Sequence, residues 1–278
     1  MSHRTTLACL VGFGLLTAAC SGDDSADDAS ATTTAAPAET TTTAAAEPLT
    51  ILVTNDDGIG APGIDAVVSA LVDVEDVEIV IVAPADNQSG SSDMVTDGPV
   101  THEPSTTASG VEGTAVNGFP ADTIGVALDE LGIEPDLVVS GVNEGQNVGP
   151  LAVVSGTVGA AREAIRRGVP AVAGSAGLAE DADYDLGADL IVEWIADHRA
   201  DLEAGTADTT TVTSFNVPGC AAGDPKDVLE VPLGTAIPDG VNIFLTPDCA
   251  VEPATPPADD VAALIAGHSA VTQVPAEL

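Results

Sequence analysis

Residues 49–64 read Leu49-Thr-Ile-Leu-Val-Thr-Asn-Asp-Asp-Gly-Ile-Gly-Ala-Pro-Gly-Ile64, a short apolar run that stops at two adjacent aspartates. The run Thr50 to Thr54 is rich in Ile, Val and Thr, which predicts a buried strand, and the glycines and proline that follow predict a turn into a helix. In an open α/β sheet, ligands bind outside the carboxyl ends of the strands. The sequence therefore predicts that Asp56 and Asp57 lie at the mouth of a site.

Asp56 and Asp57 are the candidate catalytic residues and the first candidate metal ligands. Adjacent carboxylates repel each other, so keeping both ionised in a partly desolvated place usually requires a cation. Oxygen ligands favour a hard cation such as Mg²⁺, Mn²⁺ or Ca²⁺. Asn-Asp-Asp-Gly is also ordinary turn chemistry, so the tetrapeptide by itself leaves a plain turn as the alternative.

Apolar strand-like runs alternate with helical patterns from Leu49 onward, which predicts βαβ units. We predict strands at 50–54, 77–83, 136–141, 171–175 and 211–217, and helices at 61–72, 120–131, 155–167, 186–198 and 258–266. The expected fold class is α/β: a Rossmann-like, mostly parallel sheet with helices on both faces and a C-terminal hairpin arm.

Polar loops follow the first three of these strands, after Thr54, Ala83 and Gly141. Because the carboxyl ends of parallel strands meet at one edge of a sheet, we expect these loops to converge, which favours a site over a plain turn. Ser155-Gly-Thr157 opens a later helix, whose unpaired amides are a natural seat for phosphate. Serine is also a routine N-cap, so this helix start has a purely structural interpretation as well.

The composition is strongly acidic, with a formal net charge of −38 over 278 residues. Such a chain repels polymeric nucleic acid, because the Lys and Arg contacts that provide non-specific affinity are largely lacking. A small anionic substrate would need a metal at the site. Adaptation to salty surroundings is an equally good explanation of the acidity. The core must consist mainly of aliphatic residues, since 45% of the chain is hydrophobic and only 2% aromatic.

The N-terminus has a secretory pattern, with Arg4 before an apolar run, 7–19, that is too short to span a bilayer permanently. The small residues before Cys20 make it resemble a bacterial lipoprotein signal, which implies a signal peptide at 1–19, lipid on Cys20 and an exported, membrane-anchored protein. Ordinary secretion, with Cys20 removed or unmodified, is the alternative. Residues 20–48 are rich in Thr, Ala and Asp, which predicts a disordered linker.

Two further cysteines, Cys220 and Cys249, remain in the body of the chain. Neither has the spacing of a Cys or Cys/His metal site. In an exported protein, such a pair favours a disulfide over a metal site.

Over roughly residues 49–275, the motifs resemble the SurE-type survival proteins, a family of metal-dependent 5′/3′-nucleotidases. The resemblance implies one phosphatase domain over 49–278. The matching segments occur in the family's order: Thr54-Asn-Asp-Asp-Gly58, Ala61-Pro-Gly63, Asn87-Gln-Ser-Gly90, Val116-Asn-Gly118, Pro135-Asp-Leu-Val-Val-Ser-Gly141, Asn143 and Ser155-Gly-Thr-Val158.

The resemblance implies a divalent metal, Mg²⁺ or Mn²⁺, a substrate that is a nucleoside monophosphate or other small phosphomonoester, and a homodimer. The implied metal ligands are Asp56, Asp57, Ser89 and Asn143. The implied phosphate contacts are Ser155, Thr157, Gly145 and Asn147, with Asn117 at the pocket edge. This chain departs from the family at Ala85-Asp86, where a basic residue is usual, and at Ser92-Asp93, where a histidine is frequent.

Overall fold

The computed structural model describes residues 47–180 and 182–277. The predicted signal peptide, Cys20 and nearly all of the predicted linker lie outside these ranges. Within the described ranges, no helix has both the length and the apolar character that crossing a membrane requires.

A nine-stranded sheet organises the described residues, in the order β3-β4-β2-β1-β5-β6-β7-β9-β8. The six strands from β4 to β7 in this order are parallel, whereas β3 and β9 run antiparallel to β4 and β7, and β8 pairs with β9 in parallel. The strands are β1 (Leu49–Thr54), β2 (Val77–Pro84), β3 (His102–Thr106), β4 (Glu112–Val116), β5 (Leu137–Glu144), β6 (Ala171–Ala176), β7 (Thr211–Val217), β8 (Lys226–Glu230) and β9 (His268–Pro275).

Helices cover both faces of this sheet, so the predicted fold class is confirmed. The parallel strands follow the doubly wound order 3-2-1-4-5-6, whose switch point lies between β1 and β5. The helices are α1 (Pro62–Val72), α2 (Pro120–Gly125, continued by a π-helical segment Val126–Glu130), α3 (Leu151–Val154), α4 (Gly156–Arg166), α5 (Tyr184–Glu203) and α6 (Asp260–Ile265).

The central strand β1 is buried on both faces, which explains its continuous apolar sequence. Ile51 and Val53 pack in the cluster formed with α1 and α5, while Leu52 packs in the cluster formed with α2 and α4. All three side chains are 0% exposed. Each therefore stabilises the fold by about 1.5–3 kcal/mol relative to an exposed position. Because β1 is buried on both faces, the position at which it ends and the acidic turn begins is fixed.

Two regions differ from the sequence prediction. The antiparallel pair β3 and β4 was not predicted, because both strands are short and show no apolar alternation, and Pro104 lies within the edge strand β3. Helix α5 extends past the predicted end at His198 to Glu203. An ion pair between Arg199 and Glu203, one helical turn apart, supports this polar extension.

Helix α1 begins in direct contact with the backbone of β5, on the other side of the acidic turn. A Cβ atom on Gly63 would overlap with the carbonyl oxygen of Val142. Only glycine therefore allows this close approach. In contrast, nothing lies within 4 Å of a Cβ built on Gly60, three residues earlier.

We predict that Gly63→Ala lowers the free energy of unfolding by about 1–3 kcal/mol or more, because α1 must move away from β5. Gly60→Ala is the matched control and should leave the stability unchanged or raise it by up to about 1 kcal/mol. Urea unfolding followed by circular dichroism measures both. Equal midpoints for the two variants would show that the α1–β5 contact does not constrain the fold.

Candidate active site

The turn after β1 is stabilised by Asn55 and not by the two aspartates. The Asn55 amide nitrogen donates to the Gly58 carbonyl at 2.9 Å, and its Oδ1 accepts from the Gly58 N–H at 3.2 Å. Gly58 has φ +101°, which favours glycine. The turn interpretation of Asn-Asp-Asp-Gly is thus correct for Asn55 and Gly58, and it leaves Asp56 and Asp57 available for other interactions.

Asp56 lies beneath the first turn of α4, with 2% of its surface exposed. The Thr157 hydroxyl donates to Asp56 Oδ1 at 2.6 Å, and a Cβ on Gly156 would lie 2.8 Å from the Asp56 Cβ. Burial, together with the negative charge of Asp57, raises the pKa of Asp56 to about 6 despite the Thr157 hydrogen bond, which lowers it. The helix N-terminus predicted as a phosphate seat therefore already faces a carboxylate of the chain itself.

Asp57 is held by three donors on the neighbouring loops. Its Oδ1 accepts from the Asn87 amide at 3.0 Å and from the Ser89 hydroxyl at 3.4 Å, and its Oδ2 accepts from the Glu144 backbone N–H at 2.8 Å. Burial and the nearby charge of Glu144 raise the pKa of Asp57. The loops after β1 and β2 and the end of β5 thus meet at one carboxylate, as the sequence predicted.

Asn143 lies near the end of β5, after an irregularity in its pairing with β6 between Ser140 and Asn143. Its side-chain nitrogen donates to the Gly145 carbonyl at 2.6 Å, so its Oδ1 is the atom that remains for a cation. The next loop is held firmly, because Asn147 donates through its backbone to Asn216 at 2.7 Å and through its side chain to Ser175 at 2.9 Å.

A cleft of about 220 Å³ gathers most of the predicted site residues. Ser155 borders it and caps α4 by accepting from the Val158 N–H at 3.1 Å, as the N-cap interpretation expected. Thr157 does not border the cleft, because it is fully buried against Asp56. The predicted residues that line the cleft are Asp56, Ser89, Asn143, Gly145, Asn147 and Ser155.

Asp57 and Asn117 line separate hollows beside this cleft. Asp57 borders one of about 380 Å³, which shares Glu144 with the cleft and Asp86 with the next hollow. Asn117 borders that next hollow, of about 340 Å³, and donates to Thr101 at 3.0 Å. The structure therefore brings Asp57 to the edge of the cleft and places Asn117 farther along the same surface.

Within the part of the chain that the structure describes, no Lys, Arg or His side chain lines the cleft. The described cations are engaged elsewhere. Burial and, to a smaller extent, the charges of Glu144 and Asp57 raise the pKa of Tyr184 to about 12. The engaged cations are Arg162 and Arg166 on Asp93, Arg167 on Asp129 and Glu163, Arg199 on Glu203, and Lys226 on backbone carbonyls.

The sequence analysis assigned no role to seven residues that line the cleft: Gly90, Glu144, Gln146, Leu151, Val154, Leu178 and Phe244. Glu144 and Gln146 follow Gly141, in the stretch predicted as a polar loop, so their place there was the available signal. Leu178 and Phe244 lie in segments without a motif, and only the tertiary structure brings them to the site.

The donor set fits a hard divalent cation. Asp56, Asp57, Ser89 and Asn143 offer carboxylate, hydroxyl and amide oxygens, the ligands that Mg²⁺ and Mn²⁺ prefer. Among residues 47–180 and 182–277, no group of three or more His, Cys, Asp or Glu side chains could hold a metal. The two aspartates would therefore depend on the neutral oxygens of Ser89 and Asn143 to complete a site.

The fold and the site together define an α/β protein of doubly wound topology with an acidic, oxygen-rich cleft at its switch point. The family model of the survival protein SurE matches residues 51–236, which is more than half of the chain. The chain belongs to the SurE family.

Individual SurE proteins show the same relationship. The chain is 42% identical over 177 residues to the 5′-nucleotidase SurE of Halobacterium salinarum, covering 60% of this chain and 64% of that protein. It is 46% identical over 127 residues to that of Variovorax paradoxus, covering 45% and 48%. The chain thus spans less than two thirds of the length of these relatives. It also resembles the crystal structure of the SurE protein from Aquifex aeolicus, with a TM-score of 0.65, 25% identity, and coverage of 82% and 94%.

We predict that Thr157→Val raises the pKa of Asp56 above its value of about 6. The hydroxyl donates to the ionised carboxylate and stabilises it, so removing the donor favours the protonated form. Carboxyl ¹³C NMR titration of the metal-free protein measures this pKa. Thr272→Val is the matched control, since Thr272 is also buried but donates to the Val231 carbonyl. An unchanged or lower pKa in Thr157→Val would contradict the assigned hydrogen bond.

Proposed function

We propose that the protein is a metal-dependent phosphomonoesterase that hydrolyses nucleoside monophosphates and releases phosphate. The observation that supports this most strongly is the adjacent pair of Asp56, which lines a cleft without a cationic side chain among its described lining residues, and Asp57, which lies at the edge of that cleft. Such a cleft would repel a phosphate dianion unless a cation were bound. The names of the curated relatives, 5′-nucleotidase SurE, support the choice of nucleotides.

The residues have separate roles in this proposal. Asp56, Asp57, Ser89 and Asn143 hold a divalent cation, Mg²⁺ or Mn²⁺. When bound, this cation polarises the phosphoryl group and lowers the pKa of an attacking water. Thr157 positions Asp56 through its 2.6 Å hydrogen bond.

The phosphate contacts also come from residues of the cleft wall. Ser155 can donate its hydroxyl to a phosphoryl oxygen while still accepting from Val158 as a cap. The segment from Gly145 to Asn147 is fixed by hydrogen bonds to Ala176, Asn216 and Ser175, so it can orient the phosphoryl group without rearranging. Asn117 is too far along the surface to belong to this wall and would contact a distal part of the substrate.

A second candidate function is a catalytically weak surface lipoprotein that binds metal and nucleotide. The exposed carboxylates of Asp86 and Glu144 favour it, because they line the hollow beside the cleft and repel phosphate. The same segment around Asp86 usually carries a basic residue in the SurE pattern. Binding of nucleotide without release of phosphate would select this function over hydrolysis.

We predict that the full-length protein releases phosphate from nucleoside 5′- and 3′-monophosphates, that EDTA abolishes the release, and that Mn²⁺ or Mg²⁺ restores it. Asp57→Asn should lower kcat by roughly 100-fold or more, because it removes one of two charged ligands. A malachite-green assay of phosphate measures both effects.

Asp73→Asn is the matched control, since Asp73 lies at the far end of α1 and should leave kcat unchanged. Release that is insensitive to EDTA, or full activity in Asp57→Asn, would refute the assigned site. Circular dichroism of each variant separates lost chemistry from lost folding.

We further propose that the protein is exported and anchored through lipid on Cys20. The lipoprotein-like pattern before Cys20 motivates this, and the disulfide between Cys220 and Cys249 supports it, with a Cα–Cα distance of 5.6 Å. Disulfides persist mainly in oxidising compartments.

We also propose that the protein is a homodimer, which the family resemblance implies. A monomeric mass in sedimentation equilibrium would contradict this proposal.

We predict that the protein sediments with the membranes of the cells that produce it and incorporates radiolabelled palmitate, and that Cys20→Ser loses both properties. The physical reason is that the predicted signal is too short to remain as a membrane anchor, so the lipid must hold the protein. Labelling that persists in Cys20→Ser, or a soluble wild-type protein, would contradict the anchor.

A further inference from the structure

The cleft is lined by both polar and apolar side chains. Asp56, Asn143 and Ser155 are among the polar ones, and Leu178 and Phe244 contribute apolar surface to the same cavity. Phe244 is 56% exposed and Leu178 38% exposed. Only 2% of the chain is aromatic. Among residues 47–180 and 182–277, Phe244 is the one Phe, Tyr or Trp whose side chain is exposed, since the others are buried or half-buried. An apolar ring left in water next to the site suggests a ligand that covers it.

Hydrogen bonds hold Phe244 at this position. Gln146 is 6% exposed, and its side-chain nitrogen donates to the Ile243 carbonyl at 2.6 Å. Its Oε1 accepts from the Leu178 N–H at 3.3 Å. One buried amide therefore connects Leu178, the loop before Phe244 and the segment from Gly145 to Asn147 that we assign to phosphate.

The preceding residue anchors the loop from below. Ile243 is 5% exposed and packs with Val148, Val261 and Leu264 in a small separate core cluster. The Phe244 N–H also donates to Asn242 Oδ1 at 3.1 Å. The backbone at Phe244 is thus fixed while its ring faces solvent, which is the arrangement of a preformed contact surface and not of a residue displaced from the core.

We propose that Phe244 and Leu178 form a stacking platform for the base of the nucleotide, and that Phe244 is a specificity-determining residue of the cleft. This inference rests on the proposed function and deepens it. The favoured substrates are phosphomonoesters that carry a flat heterocycle, over small aliphatic ones. Stacking depends on the presence of a ring more than on its identity, so discrimination among the bases should be small.

The test compares AMP with ribose 5-phosphate, which has the same phosphate and sugar but no base. In the Mn²⁺-loaded full-length protein, Phe244→Ala should lower kcat/KM for AMP roughly 5- to 100-fold, the range expected for one base stacked on an aromatic side chain. It should leave kcat/KM for ribose 5-phosphate within about 2-fold, and Phe244→Trp should retain the preference for AMP.

Leu245→Ala is the matched control, because Leu245 is adjacent, 69% exposed and outside the cleft lining. Leu245→Ala should leave kcat/KM unchanged for both AMP and ribose 5-phosphate. Equal losses for AMP and ribose 5-phosphate in Phe244→Ala would assign Phe244 a structural role, and no loss would remove it from the site. Either result overturns the platform and leaves the proposed hydrolysis intact.

Equilibrium dialysis with Mn²⁺ keeps the two proposals separable. If the wild-type protein releases no phosphate but binds AMP more tightly than ribose 5-phosphate, and Phe244→Ala removes that difference, the platform stands and the hydrolase proposal fails. Equal binding of AMP and ribose 5-phosphate by the wild-type protein overturns the platform.

Discussion

The burial of one member of an adjacent carboxylate pair is the constraint on which this structure depends. Asp56 is enclosed beneath the first turn of α4, and Asp57 stands beside it at the end of β1. Charge repulsion and desolvation both disfavour this arrangement, and the Thr157 hydrogen bond offsets only part of the penalty. Packing elsewhere must therefore offset the rest of the penalty, and the fully buried residues of β1 contribute to this.

The surrounding residues leave the negative charge of the cleft uncompensated. Arg162 and Arg166 lie on α4 and pair with Asp93, which occupies a position where the family pattern often has histidine. Glu144 adds a further carboxylate at the rim. A site that accepts phosphate under these conditions needs a bound cation, and the oxygen donors around Asp56 and Asp57 suit one.

The sequence predicted the parts of the site that depend on local patterns. An apolar run ending at two aspartates identified β1, and the polar loops containing Ser89 and Asn143 converge on Asp57 or on the cleft beside it because parallel strands end at one edge of the sheet. Contacts between distant segments could not be predicted. Thr157 was expected to contact phosphate, yet its hydroxyl donates to the carboxylate of Asp56, 101 residues away. Phe244 is held beside the cleft by the hydrogen bond from Gln146 to the Ile243 carbonyl, which spans 97 residues.

The need for a cation can be tested by a crystal structure of the protein grown with Mn²⁺, using an anomalous difference map. We expect one strong peak in the cleft, about 2.0–2.4 Å from oxygens of Asp56, Asp57 and Asn143. A map without a peak at these residues, or with its strongest peak outside the cleft, would contradict the claim that the aspartate pair exists to hold a cation.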